Sequence, residues 1–255
     1  MIDSPNTPTR VSEALVETFA GLERRASGEV SEIPTGFVDL DLLTGGLHKS
    51  ELVILASRPS MGKTALALNI AEHAAIDVRT TTLIVSMEMS RLELAQRMLC
   101  SLGKIDGSKF RSGFISSRER EKLVEVSEKF STAPLFIDDT SSRTIAEIAA
   151  CARRLREAKL GLVIVDYLQL IQPDNSKDPR QEQVAKISRR LKGLARELAV
   201  PVLCLAQLNR QVEASRDNRP KLSHLRESGA IEQDADIVLL LHRDEYSLSF
   251  EEARE

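Results

Sequence analysis

Aromatic side chains are scarce. The 255-residue chain has no tryptophan, two tyrosines and seven phenylalanines, 4% in all, too few to build a platform of stacking rings. Cysteine is equally sparse: Cys100, Cys151 and Cys204 stand singly in apolar or helical stretches, an odd number without CxxC spacing. That argues against a disulfide framework or a cysteine metal site and predicts reduced core thiols in a cytoplasmic protein. No stretch approaches the roughly 18 apolar residues that a membrane span needs, and the opening MIDSPNTPTR carries no apolar leader segment. Neither secretion nor membrane insertion is expected. Charge of neither sign dominates either, at a net −3, so any surface for a polyanion must be local.

What is present is ordinary globular material, 42% hydrophobic and 29% charged, enough for one sizeable core. Residues 1–9 carry Pro5, Pro8 and small polar side chains and read as a flexible start. Val11, Leu15, Phe19, Leu22 and Ala26 then recur at steps of three and four, one apolar stripe on a short helix that ends near Gly28. SGEVSEIPTG follows as a linker. A lone amphipathic helix must bury its stripe, either on its own domain or on a neighbouring copy.

From about residue 30 the pattern changes to short apolar runs separated by helical stretches. The predicted strands are 51–57, 81–87, 134–138, 161–167, 200–206 and 236–242. Their near-continuous Val, Ile and Leu content suits a parallel sheet buried on both faces. Ser90 with Glu93, Ser116 with Glu119 and Thr144 with Glu147 have capping-box spacing and mark helix starts. Gly161 is placed to end the helix through AEIAACARRLREAKL. The division is a flexible start and linker helix over 1–29, then a single α/β domain over 30–255.

The first predicted strand runs into SRPSMGKT. A strand, a small-residue loop, Gly62, Lys63 and Thr64, then a helix, is what a triphosphate requires. Backbone N–H groups from Ser60 through Ala65 face the phosphates, Lys63 reaches the β and γ oxygens, and the Thr64 hydroxyl ligates Mg²⁺. Ser57 stands where the common pattern has its first glycine; it is tolerable there if its φ is negative, whereas Gly62 is expected to allow close backbone approach.

In open parallel sheets ligands bind beyond the carboxyl ends of the strands, and three strand ends carry suitable groups. Glu88 can orient and deprotonate an attacking water. Asp166 can hold Mg²⁺ directly or through water, and the Gln207 amide can donate to a γ-phosphate while accepting from a neighbour. Together these residues predict a nucleoside triphosphatase using ATP and Mg²⁺.

With these residues in place, the chain resembles the C-terminal motor domain of the DnaB-type replicative DNA helicases, a RecA-like P-loop fold. The resemblance rests on IPTGFVDLDLLTGGLHKSELVILASRPSMGKTALALNIA, SMEMSRLELAQRML, VIVDYLQLI, ISRRLKGLARELAVPVLCLAQLNRQVE and RPKLSHLRESGAIEQDADIVLLLHRDE, roughly residues 33–245. A small residue at the Ser57 position is within that family's pattern. The resemblance implies a mostly parallel sheet with helices on both faces and a hexameric ring that hydrolyses ATP at subunit interfaces. It further implies translocation on single-stranded DNA during DNA replication, with primase or a helicase loader as partners. It makes Lys63 and Thr64 the phosphate and Mg²⁺ ligands, Glu88 the catalytic base, Asp166 the Walker B acid and Gln207 the γ-phosphate sensor. The helix over 10–26 corresponds to the linker helix that packs on the adjacent subunit.

Basic residues are in excess between Arg180 and Glu227. Those over 183–197 read as a solvated helix face. QPDNSKDPR and VEASRDNRPKLSHLRESG are the better nucleic-acid segments, and the family's DNA-tracking loop matches LRESG, which points to Arg226, Glu227 and Gly229. With so few aromatics, phosphate contact rather than base stacking is expected. Two family elements find no match: the N-terminal helical domain, and a basic KQRNGP-like segment whose arginine reaches the neighbouring ATP site. RDEYSLSFEEARE does not resemble that segment. Since a trans arginine is worth about 10³ to 10⁵ in rate, the polypeptide alone is expected to bind ATP but hydrolyse it slowly and unwind poorly. The alternatives are a non-translocating ATP-binding helicase-like subunit and a RecA-type ATPase of the same fold.

Overall fold

The structure is a computed structural model, and it describes residues 10–26, 32–209, 219–225 and 229–243. Six parallel strands form one sheet: β1 Leu52–Ser57, β2 Thr81–Ser86, β3 Leu135–Asp138, β4 Leu160–Asp166, β5 Val202–Gln207 and β6 Ile237–Leu241. Their order is β3-β2-β4-β5-β1-β6. All six predicted strands are present. Every residue of β1 and β2 is buried, because helices cover both faces, and this is why the runs lack alternation.

One face is covered by α7 (Ile145–Arg154) and α8 (Arg180–Leu198), whose Ile148, Ala152, Leu191 and Leu194 pack on Leu52, Ile54, Leu83, Val85 and Val163. The other carries α3 (Lys63–Glu72) and α4 (Arg91–Gly103), with Ile70, Ala71, Leu94 and Met98 against Val53, Leu55, Ile84 and Leu203. Alternate residues of a strand face opposite sides, so each strand supplies both cores. The short helix α2 (Val38–Thr44) precedes β1, and the helices α5 (Gly107–Ser112) and α6 (Ser117–Ser131) follow α4. α9 (Gly229–Asp234) precedes β6.

All three predicted capping boxes form, at the starts of α4, α6 and α7. The Gly161 reading is corrected. α7 ends at Arg154, and Gly161 lies inside β4. A Cβ there would come within 2.4 Å of Thr80 Cγ2, so the glycine serves a close strand-edge approach rather than a helix end.

The predicted amphipathic helix is α1 (Val11–Ala26). Val11, Leu15, Phe19 and Leu22 are 75, 50, 64 and 61% exposed, so the stripe is not buried on the chain's own domain. The solvated-face reading of α8 holds: Lys186 pairs with Asp178 and Glu182, Arg190 with Asp174, and Lys192 with Asp236.

Candidate nucleotide site

Strand register brings the polar tips into line. Ser57 is paired with Gln207 across β1 and β5, and Ser86 with Asp166 across β2 and β4. The loop after β1 and the carboxyl ends of β2 and β5 enclose a cavity of about 350 Å³. Its wall includes Ser57, Ser60, Gly62, Lys63, Thr64, Ala65, Glu88 and Gln207. Met61 is 8% exposed and belongs to the core, off that wall.

The loop conformation follows from two residues. Ser60 has φ +67° and Gly62 φ +96°, both left-handed, whereas Ser57 ends β1 outside that region and donates its hydroxyl to the Arg58 carbonyl at 2.8 Å. Serine at the first position is therefore unstrained. At Gly62 no protein atom lies within 4 Å of where a Cβ would stand. Its positive φ is what requires glycine, and the space over the α3 amino terminus stays open to an anion.

Lys63 and Thr64 open α3 and turn back onto β4. Thr64 Oγ1 donates to Asp166 Oδ2 at 2.8 Å, and Lys63 Nζ lies 3.8 Å from Asp166 Oδ1 and 4.4 Å over the centre of the Tyr167 ring. Burial lowers the Lys63 ammonium from its ordinary value, opposed by the charges of Asp166 and Glu88. Asp166 is 2% exposed, and its Oδ1 has no hydrogen-bond partner. A buried carboxylate oxygen left over beside a hydroxyl is a hard-oxygen donor set, so Thr64 and Asp166 fit a divalent cation.

Four residues lay beyond sequence reasoning. Arg58 and Arg97 complete the cavity wall with Met89; Arg97 reaches it from the second turn of α4. Gln169 brackets the main chain of Gln207 with its amide, donating to the carbonyl at 3.1 Å and accepting from the N–H at 3.2 Å. Arg97 and Gln169 gain their places through packing of separate elements, and no local pattern signals that. Of the expected nucleic-acid residues, Gly229 begins α9, while Arg226 and Glu227 lie outside the described residues. Among the described residues no helix is long and apolar enough to cross a membrane.

Comparison with known proteins accounts for this geometry. Residues 32–255 match the family model described as DnaB-like helicase C terminal domain. Among curated relatives, the replicative DNA helicase DnaB of Geobacillus stearothermophilus is 48% identical over 240 residues, 92% of this chain and 53% of that protein. The replicative DNA helicase DnaC of Bacillus subtilis (strain 168) is 46% identical over the same length. The chain thus spans about half the length of the curated relatives it matches. Among solved structures, one described as an ATPase domain superposes with a TM-score of 0.89 at 38% identity, covering 94% of this chain and 86% of that one. A DnaB-like replicative helicase described with its primase interactions gives 0.86 at 37%, covering 96% of this chain and 59% of that one. With a sheet order, a phosphate loop and a family model that agree over nearly all its length, the chain belongs to the DnaB-like helicase C-terminal domain family.

Proposed function

We propose that this chain is the motor domain of a replicative DNA helicase, coupling ATP hydrolysis to movement along single-stranded DNA and duplex unwinding in the cytoplasm. The observation that carries the reading is the grouping of Lys63, Thr64, Glu88 and Gln207 on one cavity, with Asp166 hydrogen-bonded to Thr64 behind it.

In this reading ATP lies with its phosphates over Ser60 to Ala65, bound by main-chain N–H groups and by Lys63. Thr64 and Asp166 hold Mg²⁺, which neutralises charge on the β and γ oxygens when bound. Glu88, exposed on the cavity wall, orients the water and takes its proton. Gln207 senses the γ-phosphate, and the segment after β5, leading to Arg226, Glu227 and Gly229, carries that contact to the DNA backbone.

Self-association into a hexameric ring is part of this reading, and the exposed stripe on α1 supports it by offering an apolar face for an adjacent copy. Primase and a helicase loader are the further partners proposed.

ATP turnover measured with and without single-stranded DNA tests the reading, alongside native mass measurement of ring formation. Lys63→Ala should abolish ATP binding, and Gln207→Ala should keep ATP binding but lose DNA stimulation. Turnover indifferent to DNA would replace the motor by a non-translocating ATP-binding subunit.

A further inference from the structure

Tyr167 has no task in the chemistry assigned to ATP. It follows Asp166 at the carboxyl end of β4, is half-buried, and packs on the core shared with α3 and α4. It stands off the wall of the nucleotide cavity.

Its ring lies against Lys63. The Lys63 Nζ is 4.4 Å from the ring centre, within the roughly 6 Å over which an aromatic face attracts a cation. The other close group, Asp166 Oδ1, is 3.8 Å away, beyond hydrogen-bonding length, and that oxygen has no hydrogen-bond partner. Among the described residues, then, Lys63 Nζ donates no hydrogen bond, although the side chain is only 12% exposed.

That combination is informative. An ammonium carries N–H donors and no acceptor, and a neighbouring carboxylate in hydrogen-bond contact would take one of them, which a phosphate would then have to displace. A ring face attracts the charge through its quadrupole and takes no donor. The lysine stem also gives up rotamer freedom when its ammonium meets a phosphate. A side chain already seated has less to give up, and affinity rises accordingly.

We propose that Tyr167 is a positioning residue for Lys63, its ring face seating the ammonium at the cavity while leaving the N–H donors for the triphosphate. The claim rests on the ATP reading of that cavity.

The test replaces residue 167 in the full chain by Phe, by Leu, and by phenylalanines carrying one, two and three ring fluorines, which drain negative charge from the ring face while keeping the ring. Affinity for a non-hydrolysable ATP analogue with Mg²⁺ is read by calorimetry. Tyr167→Phe should stay within about twofold of the parent, the fluorinated chains should weaken stepwise to about tenfold, and Tyr167→Leu should lose about tenfold. A ring needed only for packing would leave the fluorinated chains at the Tyr167→Phe level, and that flat series would overturn the proposal. So would affinity that rises with fluorine, which would mean that the ring holds Lys63 back from the phosphates, or parent-like affinity in Tyr167→Leu. If Tyr167→Leu fails to fold, the fluorinated series carries the test. Lys63→Ala separates the two claims: binding retained there would sink the ATP reading and this proposal with it, whereas binding lost there beside a flat series would sink the proposal alone.

Discussion

Gln169 replaces a missing length of sheet for Gln207. The β4–β5 ladder runs from Val163–Val202 to Val165–Cys204, three residues short of Gln207, and there the Gln169 amide satisfies both main-chain groups of Gln207. On the opposite side Gln207 is still paired with Ser57 of β1. The residue proposed to sense the γ-phosphate is therefore fixed by its main chain, with its side chain exposed at the cavity.

Gln169→Ala should consequently leave ATP affinity within about threefold while lowering DNA-stimulated kcat about tenfold, because positioning errors act on the transition state more than on ground-state binding. Equilibrium binding of a fluorescent ATP analogue and steady-state turnover separate the two. An equal loss in both would make Gln169 a general support of the cavity.

The Thr64–Asp166 hydrogen bond leads to a metal-dependent prediction. Asp166→Asn preserves shape and can still accept from Thr64, but removes the charge from the buried oxygen that faces Lys63 and has no hydrogen-bond partner. Affinity for ATP with Mg²⁺ should fall roughly 10- to 100-fold, in the range seen when a metal's surroundings are altered, while affinity measured in a chelator changes little. Equal losses in both buffers would remove Asp166 from the metal's neighbourhood.

Burial raises the Glu72 carboxyl to about 7, against the hydrogen bond from Asn69 that lowers it. The folded chain therefore holds a proton that the unfolded chain releases near its ordinary value of 4.5. Stability from this group is greatest below that value and declines as pH rises through about 7. The full effect is at most about 3 kcal/mol, reduced by solvent screening. Glu72→Gln should match the parent in urea melts at pH 5 and exceed it at pH 8. A constant difference across that range would mean that Glu72 does not titrate on unfolding.

Much of this was legible because it is local. A capping box is written in four consecutive residues, and Thr144 with Glu147 forms one at 2.8 to 3.3 Å. The phosphate loop is likewise contiguous, and the two-sided burial of β1 shows in its unbroken apolar run. Arg97 and Gln169 were not legible, because α4 packing on α3 places one and the shortness of the β4–β5 ladder gives the other its role. The α1 stripe left its partner open, since periodicity reports a face and not what covers it. Glycine was misread at 161 because a helix end and a tight strand edge both favour it, and only the neighbour across the gap decides.

That neighbour makes the last expectation specific. Thr80 precedes β2 and Gly161 is the second residue of β4, and the 2.4 Å approach is to the Thr80 methyl carbon rather than to backbone. Gly161→Ala should destabilise the chain by about 1 to 3 kcal/mol through overpacking, read as a lower urea midpoint with an unchanged slope. Thr80→Ser removes that methyl and should cost little alone, so the double variant should recover most of the loss. A double variant no more stable than Gly161→Ala would show that the strand needs glycine for its backbone and not for its contact with Thr80.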